Sequence, residues 1–461
     1  MNSDAARIIF PAGLDSLAND IASLTQFLSV LPNAIDSGKK KKINIVLQNQ
    51  TLQSNGYVGL APFRSEFYIS PRQNSFELGS IPWHQTLTLH EFRHVQQFNQ
   101  FNRGLSSFAR IFLGEEGQAL LNSASVPDWF FEGDAVFFET RYSRQGRGNL
   151  PFFFNDFRSL WKEGRNYSFM KLRNGSYKHF VPDHYALGYL LVSYGRTKFG
   201  DKFWNRVTED AAAFKYPIYP FQSAFKKQSG QNYRTFVNEA LEYFRKEMLQ
   251  NEMLQKDSSQ NVSGLSAQPA KAEKFVTDYL FPYPCGIDSV LVLKKSYRSI
   301  PAWYIIHQGI EKKIAIKDIS LDDYYSFKNG KIIYTSYTPS ARWAWHDFSN
   351  ICILDISSGS RTTVSSRSKY FSPDISEDGN SIVAVNQSPS GKNNLHILDA
   401  KTGNLIKELP NTQNFVYTYP KFYGNDDYVI SSVRTAAGKM GLLKITLNSG
   451  AEEWIAGPDM K

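Results

Sequence analysis

Cysteine and long apolar runs are both scarce in this 461-residue chain. Its two cysteines, Cys285 and Cys352, either pair or remain free buried thiols, and they are too few to indicate the redox compartment. No apolar run approaches the roughly 20 residues of a membrane-spanning helix, so we expect no transmembrane segment. Residues 1–7 do not read as a signal peptide, which leaves a cytoplasmic protein or an exported one whose leader is absent from this chain.

Positive charge is present but not clustered. The formal net charge is +9, yet residues 39–42 form the one dense basic run, and nothing interleaves basic residues with aromatics along one face. We therefore expect no nucleic-acid partner. The 42% hydrophobic content is typical of globular proteins, and the length predicts two or three domains. The sequence leaves the oligomeric state open.

A helix is predicted over residues 82–103. Ser80 suits the N-cap and Pro82 suits the first turn, where a missing N–H costs nothing. An Asn-Arg-Gly sequence at 102–104 supplies a C-terminal stop. Between these ends, apolar side chains recur at helical spacing: Leu87, Val95, Phe98 and Phe101.

This helix carries an H-E-x-x-H sequence, with His90 and His94 one turn apart. They are separated by about 6 Å along the axis and about 40° around it, so both imidazoles point at a common spot. Glu91 lies to the side of that spot, within reach of a water held there. This is the zincin pattern, in which two neutral histidines bind Zn²⁺ and the glutamate accepts a proton from the water. The alternative is a polar stripe on a solvated helix face.

Catalytic zinc needs a third protein ligand, and residues 127–139 contain the candidates. Asp128 suits a helix N-cap, and Glu132 and Glu139 lie two turns apart on one helix face. Carboxylates within so aromatic a run are costly to bury unless a cation or hydrogen bonds compensate. The alternative is a surface helix whose acids face water. Another helix, near 104–122, would join the two motifs.

H-E-x-x-H followed by W-F-x-E-G-x-A-x-x-x-E resembles the gluzincins, the metallopeptidase group that includes thermolysin and the zinc aminopeptidases. The resemblance implies that His90, His94 and Glu132 ligate Zn²⁺ and that Glu91 is the general base. It also implies that Glu139 orients a histidine ligand through its free ring nitrogen. The fold implied for this region is α+β and zincin-like.

Two strands are predicted upstream, over residues 42–47 and 59–69. In gluzincins the strand before the active helix edges the cleft and pairs with extended substrate. The G-x-M-E-N strand with which the aminopeptidases capture a substrate amino terminus is absent here, and Glu66 is the only acid nearby. This departure favours an endopeptidase over an exopeptidase.

A further helix is predicted from Asp183, in a Y-x-x-G-Y-x-L-V-x-Y pattern similar to that of gluzincin C-terminal helices. The resemblance offers Tyr185 or His184 as the donor to the oxyanion of the tetrahedral intermediate, and we favour Tyr185. The alternative is that these side chains pack against the core with a hydrogen-bonded tip.

Residues 255–274 are rich in Ser, Gln, Asn, Ala and Lys, so they read as a linker or exposed loop. Beyond them, short alternating strands repeat with a period of about 45 residues, which is the β-propeller signature. About four repeats fit, fewer than most propellers have, so the ring is small or incomplete. Strand, turn and glycine recur together at Gly359, Gly403 and Gly450.

The segment 372–379, S-P-D-I-S-E-D-G, resembles the S-P-D-G turn of TolB-type propellers, which are largely extracytoplasmic. We therefore expect a periplasmic or secreted protein. Asp355 and Asp399 are interpreted as turn-capping residues and not as metal ligands.

Together these patterns predict a gluzincin-like metallopeptidase domain over 1–254, a linker or exposed loop over 255–274, and propeller repeats over 275–461. The predicted function is Zn²⁺-dependent hydrolysis of peptide bonds by an endopeptidase, with the propeller as a platform for a peptide or protein substrate or partner. The alternative is a zincin domain with weak or lost turnover that acts as an envelope protein-binding module. Intact Glu91 argues against this alternative, because a structural zinc site would not need it.

Overall fold

The computed structural model describes residues 1–31, 41–256 and 275–459. Its N-terminal part combines one sheet with many helices, and its C-terminal part is all β. The predicted order, a mixed region followed by propeller-type repeats, is confirmed at this level.

A four-stranded sheet opens the chain. Its strands are β1 (Ala6–Ile9), β2 (Ile43–Gln48), β3 (Gly56–Leu60) and β4 (Phe63–Tyr68), in the spatial order β1-β2-β4-β3. β1, β2 and β4 run parallel, whereas β3 pairs antiparallel with β4 at the edge of the sheet. The single strand predicted over 59–69 is wrong. The chain turns at 61–62 into a hairpin, because a proline has no N–H with which to continue a strand ladder.

The helices pack around and beyond this sheet. They are α1 (Asp15–Ser29), α2 (Ser75–Leu78), α3 (Trp83–Gln100), α4 (Gly104–Ser125), α5 (Asp128–Ser143), α6 (Asn155–Lys162), α7 (Phe169–Asn174), α8 (His184–Phe199), α9 (Phe203–Ala212), α10 (Pro220–Ser229) and α11 (Tyr233–Lys256).

Helix α3 packs in the first of two hydrophobic cores and reaches the second at its C-cap residue, Phe101. One core joins alternate residues of β2, namely Ile43, Ile45 and Leu47, to apolar side chains of α1 and α3. The other is strongly aromatic and joins α5, α8, α9, α10 and α11 around Trp129 and Trp204. Burial in this second core accounts for part of the 15% aromatic content of the chain.

The observed helices agree with the predicted positions, but two caps differ. Pro82 takes the N-cap position of α3, and Ser80 lies outside the helix. Asp128 is the first residue of α5 and not its cap, because Pro127 takes the cap position. Asp183 caps α8, since its carboxylate accepts a hydrogen bond from a backbone N–H in the first turn.

Helix α4 buries its small and polar side chains and exposes its large apolar ones. Its buried residues are small or polar: Ser106, Gly117, Gln118, Asn122 and Ser125. Its large apolar side chains lie in solvent at 45–76% exposure: Leu105, Phe108, Ile111, Phe112, Leu113 and Leu120. Gly114, at a φ of 68°, breaks the helix directly after residue 113. These exposed side chains therefore add little to the core of the described chain.

The C-terminal part consists, in the described residues, of four antiparallel sheets of four strands each. The first two sheets contain β5 (Thr277–Gly286), β6 (Ser289–Ser296), β7 (Ser299–His307), β8 (Ile310–Ile316), β9 (Tyr325–Lys328), β10 (Lys331–Pro339), β11 (Asp347–Asp355) and β12 (Arg361–Thr363). The last two contain β13 (Tyr370–Ile375), β14 (Ser381–Gln387), β15 (Asn393–Asp399), β16 (Leu405–Leu409), β17 (Val416–Tyr423), β18 (Tyr428–Arg434), β19 (Met440–Thr446) and β20 (Glu452–Asp459).

These sheets are arranged like propeller blades. Each is a simple meander, and the first strands of consecutive sheets, β5, β9, β13 and β17, are neighbours. Lys421 on β17 donates a hydrogen bond to the Tyr283 hydroxyl on β5 at 2.8 Å, so the fourth sheet also meets the first. The four sheets match the four predicted repeats, which confirms the propeller-like reading of this part.

The recurring glycines follow the third strand of a sheet. Gly359, Gly403 and Gly450 all have φ between 71° and 74°, the left-handed region that glycine adopts most readily. Asp355 and Asp399 accept backbone N–H groups two and three residues ahead, as turn-capping aspartates do.

A loop of the N-terminal part inserts into the propeller. Leu52 is only 2% exposed and packs in the core of the third and fourth sheets. Asp347 accepts hydrogen bonds from the Leu52 backbone N–H at 2.6 Å and from the Thr51 hydroxyl at 3.1 Å. The Lys369 ammonium donates to the carbonyls of residues 49–50. Both charged side chains are buried, so they need these hydrogen bonds to offset their loss of water. The bonds join the N-terminal part of the chain to the propeller-like part.

Parts of the predictions fall outside the described residues. Helix α11 extends to Lys256, into the predicted linker, while residues 257–274 and part of the basic run at 39–42 are not described. Cys285 and Cys352 are both free thiols, which excludes the disulfide. None of the described helices is long and apolar enough to cross a membrane.

Candidate metal centre

Three side chains from α3 and α5 converge at the predicted zinc site. His90 Nε2 lies 3.1 Å from Glu132 Oε2 and 3.3 Å from His94 Nε2, and His94 Nε2 lies 3.5 Å from Glu132 Oε2. Ligand atoms about 2.0–2.1 Å from a tetrahedral Zn²⁺ would be about 3.3–3.4 Å apart. The triangle of donor atoms therefore fits this ion. Across the described residues, this is the one group of His, Cys and acidic side chains so arranged.

The second ring nitrogen of each histidine meets an oxygen acceptor. His94 Nδ1 lies 2.8 Å from Gln97 Oε1, and His90 Nδ1 lies 3.1 Å from Glu139 Oε2. Gln97 is itself oriented, because its amide nitrogen donates to Asp134. Protons on both Nδ1 atoms satisfy these acceptors and leave both Nε2 lone pairs directed at the site, as metal ligation requires.

Arg147, which the sequence motifs did not indicate, anchors Glu139. Its backbone N–H and Nε donate to Glu139 Oε1 at 3.0 and 2.8 Å, and its Nη2 donates to Oε2 at 2.9 Å. Burial acts to raise the pKa of Glu139, but Arg147 outweighs it and lowers that pKa to about 2. Nη2 also lies 2.7 Å from His90 Nδ1. Metal ligation through Nε2 requires the proton to be on His90 Nδ1, and a guanidinium cannot accept a hydrogen bond. We therefore assign His90 Nδ1–H as a donor to Glu139 Oε2 and regard the approach of Nη2 as a contact only.

Glu91 is buried on α3 and lines the cleft. Burial raises its pKa, and its Oε2 has no hydrogen-bond partner among the described residues. A buried carboxylate oxygen without a partner is costly, and such groups concentrate where a ligand or substrate completes them. Edge strand β3 passes close by: a Cβ at Gly56 would lie 3.1 Å from Glu91 Oε1, so only glycine leaves this space free.

The electrostatics of the site favour a cation. Burial acts to lower the pKa of His94, but the Glu132 carboxylate outweighs it and raises that pKa to about 9. Burial likewise acts to raise the pKa of Glu132, yet the two histidines hold it far below its usual range. The space between these atoms therefore attracts positive charge. A divalent ion supplies that charge while the imidazoles stay neutral.

Two glycines bring the ligand helix against α8. A Cβ on Gly133 would lie 2.1 Å from the backbone of Gly188, and a Cβ on Gly188 would lie 2.0 Å from the carbonyl oxygen of Trp129. Helices α5 and α8 thus touch backbone to backbone. This explains the glycine beside Glu132 in the E-G pair, because it lets α8 carry Tyr185 up to that carboxylate.

Tyr185 and His184 occupy different environments. The Tyr185 ring stacks on His90 with centroids 6.2 Å apart, and the Glu132 carboxylate is near enough to add to the rise in the pKa of its hydroxyl. Burial raises the pKa of Tyr185, so the phenol keeps its proton at neutral pH. His184 is half-exposed, lies 3.1 Å from the Asp183 carboxylate and is not part of the cleft lining. The structure brings Tyr185 to the site and leaves His184 beside it.

A cleft of about 370 Å³ opens at this centre. Its lining includes His90, Glu91 and Tyr185, with Gly56 of the edge strand at one side. The volume lies in the range of small-ligand and peptide pockets. Glu66 lies outside the lining, since it is buried on β4 and hydrogen-bonded within the sheet.

No family model and no curated protein sequence matches this chain. Solved structures match parts of it. A putative TolB from Agrobacterium tumefaciens is 14% identical with a TM-score of 0.30, over 38% of this chain and 64% of that one. A puromycin-hydrolyzing peptidase from Mycobacterium tuberculosis is 11% identical with a TM-score of 0.31, over 40% and 31%.

The β-propeller domain of the Trilobed protease from Pyrococcus furiosus is 14% identical with a TM-score of 0.29, over 39% of this chain and 57% of that one. The chain thus spans less than two thirds of each of these three proteins. At TM-scores this low, these similarities do not identify the fold or the function of this protein. Its propeller-like part is identified by the strand pairing itself.

Proposed function

We propose that this protein is a Zn²⁺-dependent endopeptidase of the gluzincin type. The proposal is carried by the triangle of donor atoms from His90, His94 and Glu132, which lies beside the unpartnered carboxylate oxygen of Glu91. A structural zinc site is closed by four protein ligands, whereas a catalytic one keeps an open position. The described residues offer three ligands here, and one of them, His90, lines the cleft together with Glu91.

The side chains divide the chemistry among them. A bound Zn²⁺ would supply a Lewis acid and lower the pKa of a water molecule. Glu91 Oε2 accepts a proton from the attacking water and returns it to the leaving amine, since its raised pKa suits a general base and acid. Tyr185 donates its phenolic hydrogen to the developing oxyanion. Glu139, held by Arg147, keeps the proton on His90 Nδ1.

The cleft favours an internal peptide bond. β3 is the outermost strand of its sheet, so its free edge can pair with an extended substrate backbone. Pairing along an edge needs no free terminus. The acid on the neighbouring strand, Glu66, is turned into the sheet and is not placed to bind a substrate amino group.

We also propose a periplasmic or secreted location, on the strength of the resemblance of residues 372–379 to the S-P-D-G turn of TolB-type propellers. In the fold the S-P-D residues belong to strand β13, and the turn follows at 377–380. The Asp374 carboxylate accepts the backbone N–H of Phe422 on the next sheet at 3.0 Å, which joins the two blades. Fractionation of the native host, followed by detection with an antibody to the chain, tests the location. Recovery in the cytoplasm alone would contradict it.

Metal analysis is the first test of the site. The purified protein should carry about one zinc per chain, and a His90→Ala, His94→Ala double variant should lose it, because two of the three ligands are gone. Elemental mass spectrometry of the dialysed proteins measures both. An unchanged zinc content in the double variant would show that the metal binds elsewhere.

A second variant separates the enzyme from the binding-module alternative. Glu91→Gln keeps the size of the side chain but cannot accept the proton, so hydrolysis should fall by roughly a hundredfold or more. Zinc content should stay at the parent level. Glu116→Gln, the same change on an exposed residue of α4, is the matched control and should retain full activity.

The substrate for this assay is a broad peptide library read by mass spectrometry. Equal cleavage by the parent and Glu91→Gln would refute the mechanism. A zinc-loaded parent that cleaves nothing would favour the protein-binding module instead.

A further inference from the structure

A second cavity, of about 440 Å³, continues from the cleft into the contact between the two domains. We name it the interdomain groove. Its opposite wall belongs to the fourth propeller sheet, chiefly residues 440–442 of β19 and 456–457 of β20. The residues that line both the cleft and the groove are Phe76, Gly79, Leu150 and Phe152.

The walls of the groove are apolar and accessible. The rings of Phe76 and Phe152 stack with centroids 6.1 Å apart, yet they are 68% and 44% exposed. Across from them, Leu442 is 42% exposed. Large apolar side chains grouped around a concavity, and not scattered singly, are typical of binding sites.

The two walls are held in register by a buried cation. Arg434 is 3% exposed, and its Nε donates to the carbonyl of Gly79 at 2.7 Å while its Nη1 donates to the Thr418 hydroxyl at 3.1 Å. Gly79 lies in the segment between α2 and α3, so this bond ties the fourth sheet to the start of the helix that carries Glu91. The groove therefore has a fixed position relative to the metal centre.

We propose that the interdomain groove binds an apolar side chain of an extended polypeptide whose scissile bond lies at the metal centre. This inference rests on the proposed function and names its substrate class: extended polypeptides with an apolar residue a few positions from the cleaved bond. The continuity of groove and cleft identifies the occupant, since a chain leaving the cleft past Phe76 and Phe152 enters the groove. Successive residues of an extended chain advance about 3.3 Å, so a very short peptide occupies the cleft alone.

A charge placed in the groove tests the proposal. Leu442→Glu puts a carboxylate on the apolar wall, and the matched control Leu405→Glu makes the same change at a 52% exposed leucine of the third sheet, outside the groove. The probes are unfolded, fluorescein-labelled casein and a pool of tetrapeptides. In Leu442→Glu, KM for casein should rise about tenfold or more, so that kcat/KM for casein falls by that factor relative to the tetrapeptides. Leu405→Glu should match the parent on both.

A binding measurement keeps this test independent of turnover. Fluorescence anisotropy of labelled casein with zinc-loaded Glu91→Gln should show saturable binding, and adding Leu442→Glu should weaken it about tenfold. If Leu442→Glu weakens casein binding but the parent hydrolyses no casein, the groove proposal is supported and the proposed peptidase activity is refuted. The groove proposal is overturned if Leu442→Glu changes neither the hydrolysis nor the binding of casein. It is also overturned if the protein binds no casein.

Discussion

Replacing Arg147 by methionine would remove one charge of a buried pair and leave the other in place. Glu139 is fully buried, and the Arg147 side chain donates to both of its carboxylate oxygens. Methionine has a similar length but no donor. We expect the protein to lose much of its stability without zinc, because the Glu139 carboxylate then keeps only a backbone N–H and the His90 ring.

The size of this loss follows from the burial of the pair. Removing one partner of a buried ion pair costs about 3–5 kcal/mol. The pKa of Glu139 agrees in direction, because Arg147 and His90 together hold it at about 2 against the effect of burial. For a domain of this size, about 3 kcal/mol lowers the melting temperature by roughly 6–12 °C.

The loss should depend on pH in one direction. The folded protein keeps Glu139 ionised at pH values where the unfolded chain is protonated, so this stabilisation is complete above about pH 4.5 and is lost as pH falls toward 2. The difference in melting temperature between the parent and Arg147→Met should therefore be largest at pH 7 and shrink at pH 3.5.

Near-UV circular dichroism in EDTA measures these melts. A double variant, Arg147→Met with Glu139→Gln, removes both charges and should regain much of the lost stability. Arg141→Met breaks an exposed pair with Asp201 and should cost less than about 1 kcal/mol. If Arg147→Met melts within 2 °C of the parent at pH 7, or the double variant is no more stable than the single one, the account of this pair is refuted.

The remaining predictions address packing and domain contact. Gly133→Ala should cost about 3 kcal/mol or more, because its Cβ would lie 2.1 Å from the facing helix, whereas Gly59→Ala, with its nearest neighbour at 3.5 Å, should melt close to the parent. Phe112→Glu should change stability by less than about 0.5 kcal/mol in the same melts, since this side chain is 69% exposed; a larger loss would show that it is covered. After proteolysis within 257–274, the two fragments of the parent should co-elute on gel filtration, because Asp347 bonds them together. The fragments of Asp347→Ala should separate. Separation of the parent fragments would contradict the buried contact.

A site residue could be predicted from the sequence when its partners lie close to it along the chain. His90, Glu91 and His94 are placed by helix geometry alone, so their spacing was enough to group them. Glu132 joins them through the packing of α3 on α5. Its place in an aromatic run made it a candidate together with Glu139, and the resemblance to a known motif chose between the two. Arg147 could not be found, because its return to Glu139 depends on the left-handed end of α5 and the short turn that follows.

In the fold, too, local features could be predicted and long-range contacts could not. The propeller repeats could be predicted, since each strand and turn is specified within about 45 residues. The hairpin of β3 and β4 was not predicted because residues 59–69 read as one strand, and only the proline at 62 marks the turn. The insertion of Leu52 into the propeller core carries no local signal at all, as its partners lie about 300 residues away in the chain.

Long-range contacts also decide what the propeller does for the site. The edge strand β3 packs against helix α3 at Gly56, and the propeller contacts the segment before this helix, where Gly438 lies close to Ile81 and Arg434 donates to the carbonyl of Gly79. The fourth sheet thus contacts the segment that leads into the helix carrying His90 and Glu91. A substrate bound to this sheet would therefore contact a part of the chain that packs beside the helix of the two proposed histidine ligands. The propeller therefore lines the groove that continues from the cleft, which the separation of the two motifs in the sequence could not show.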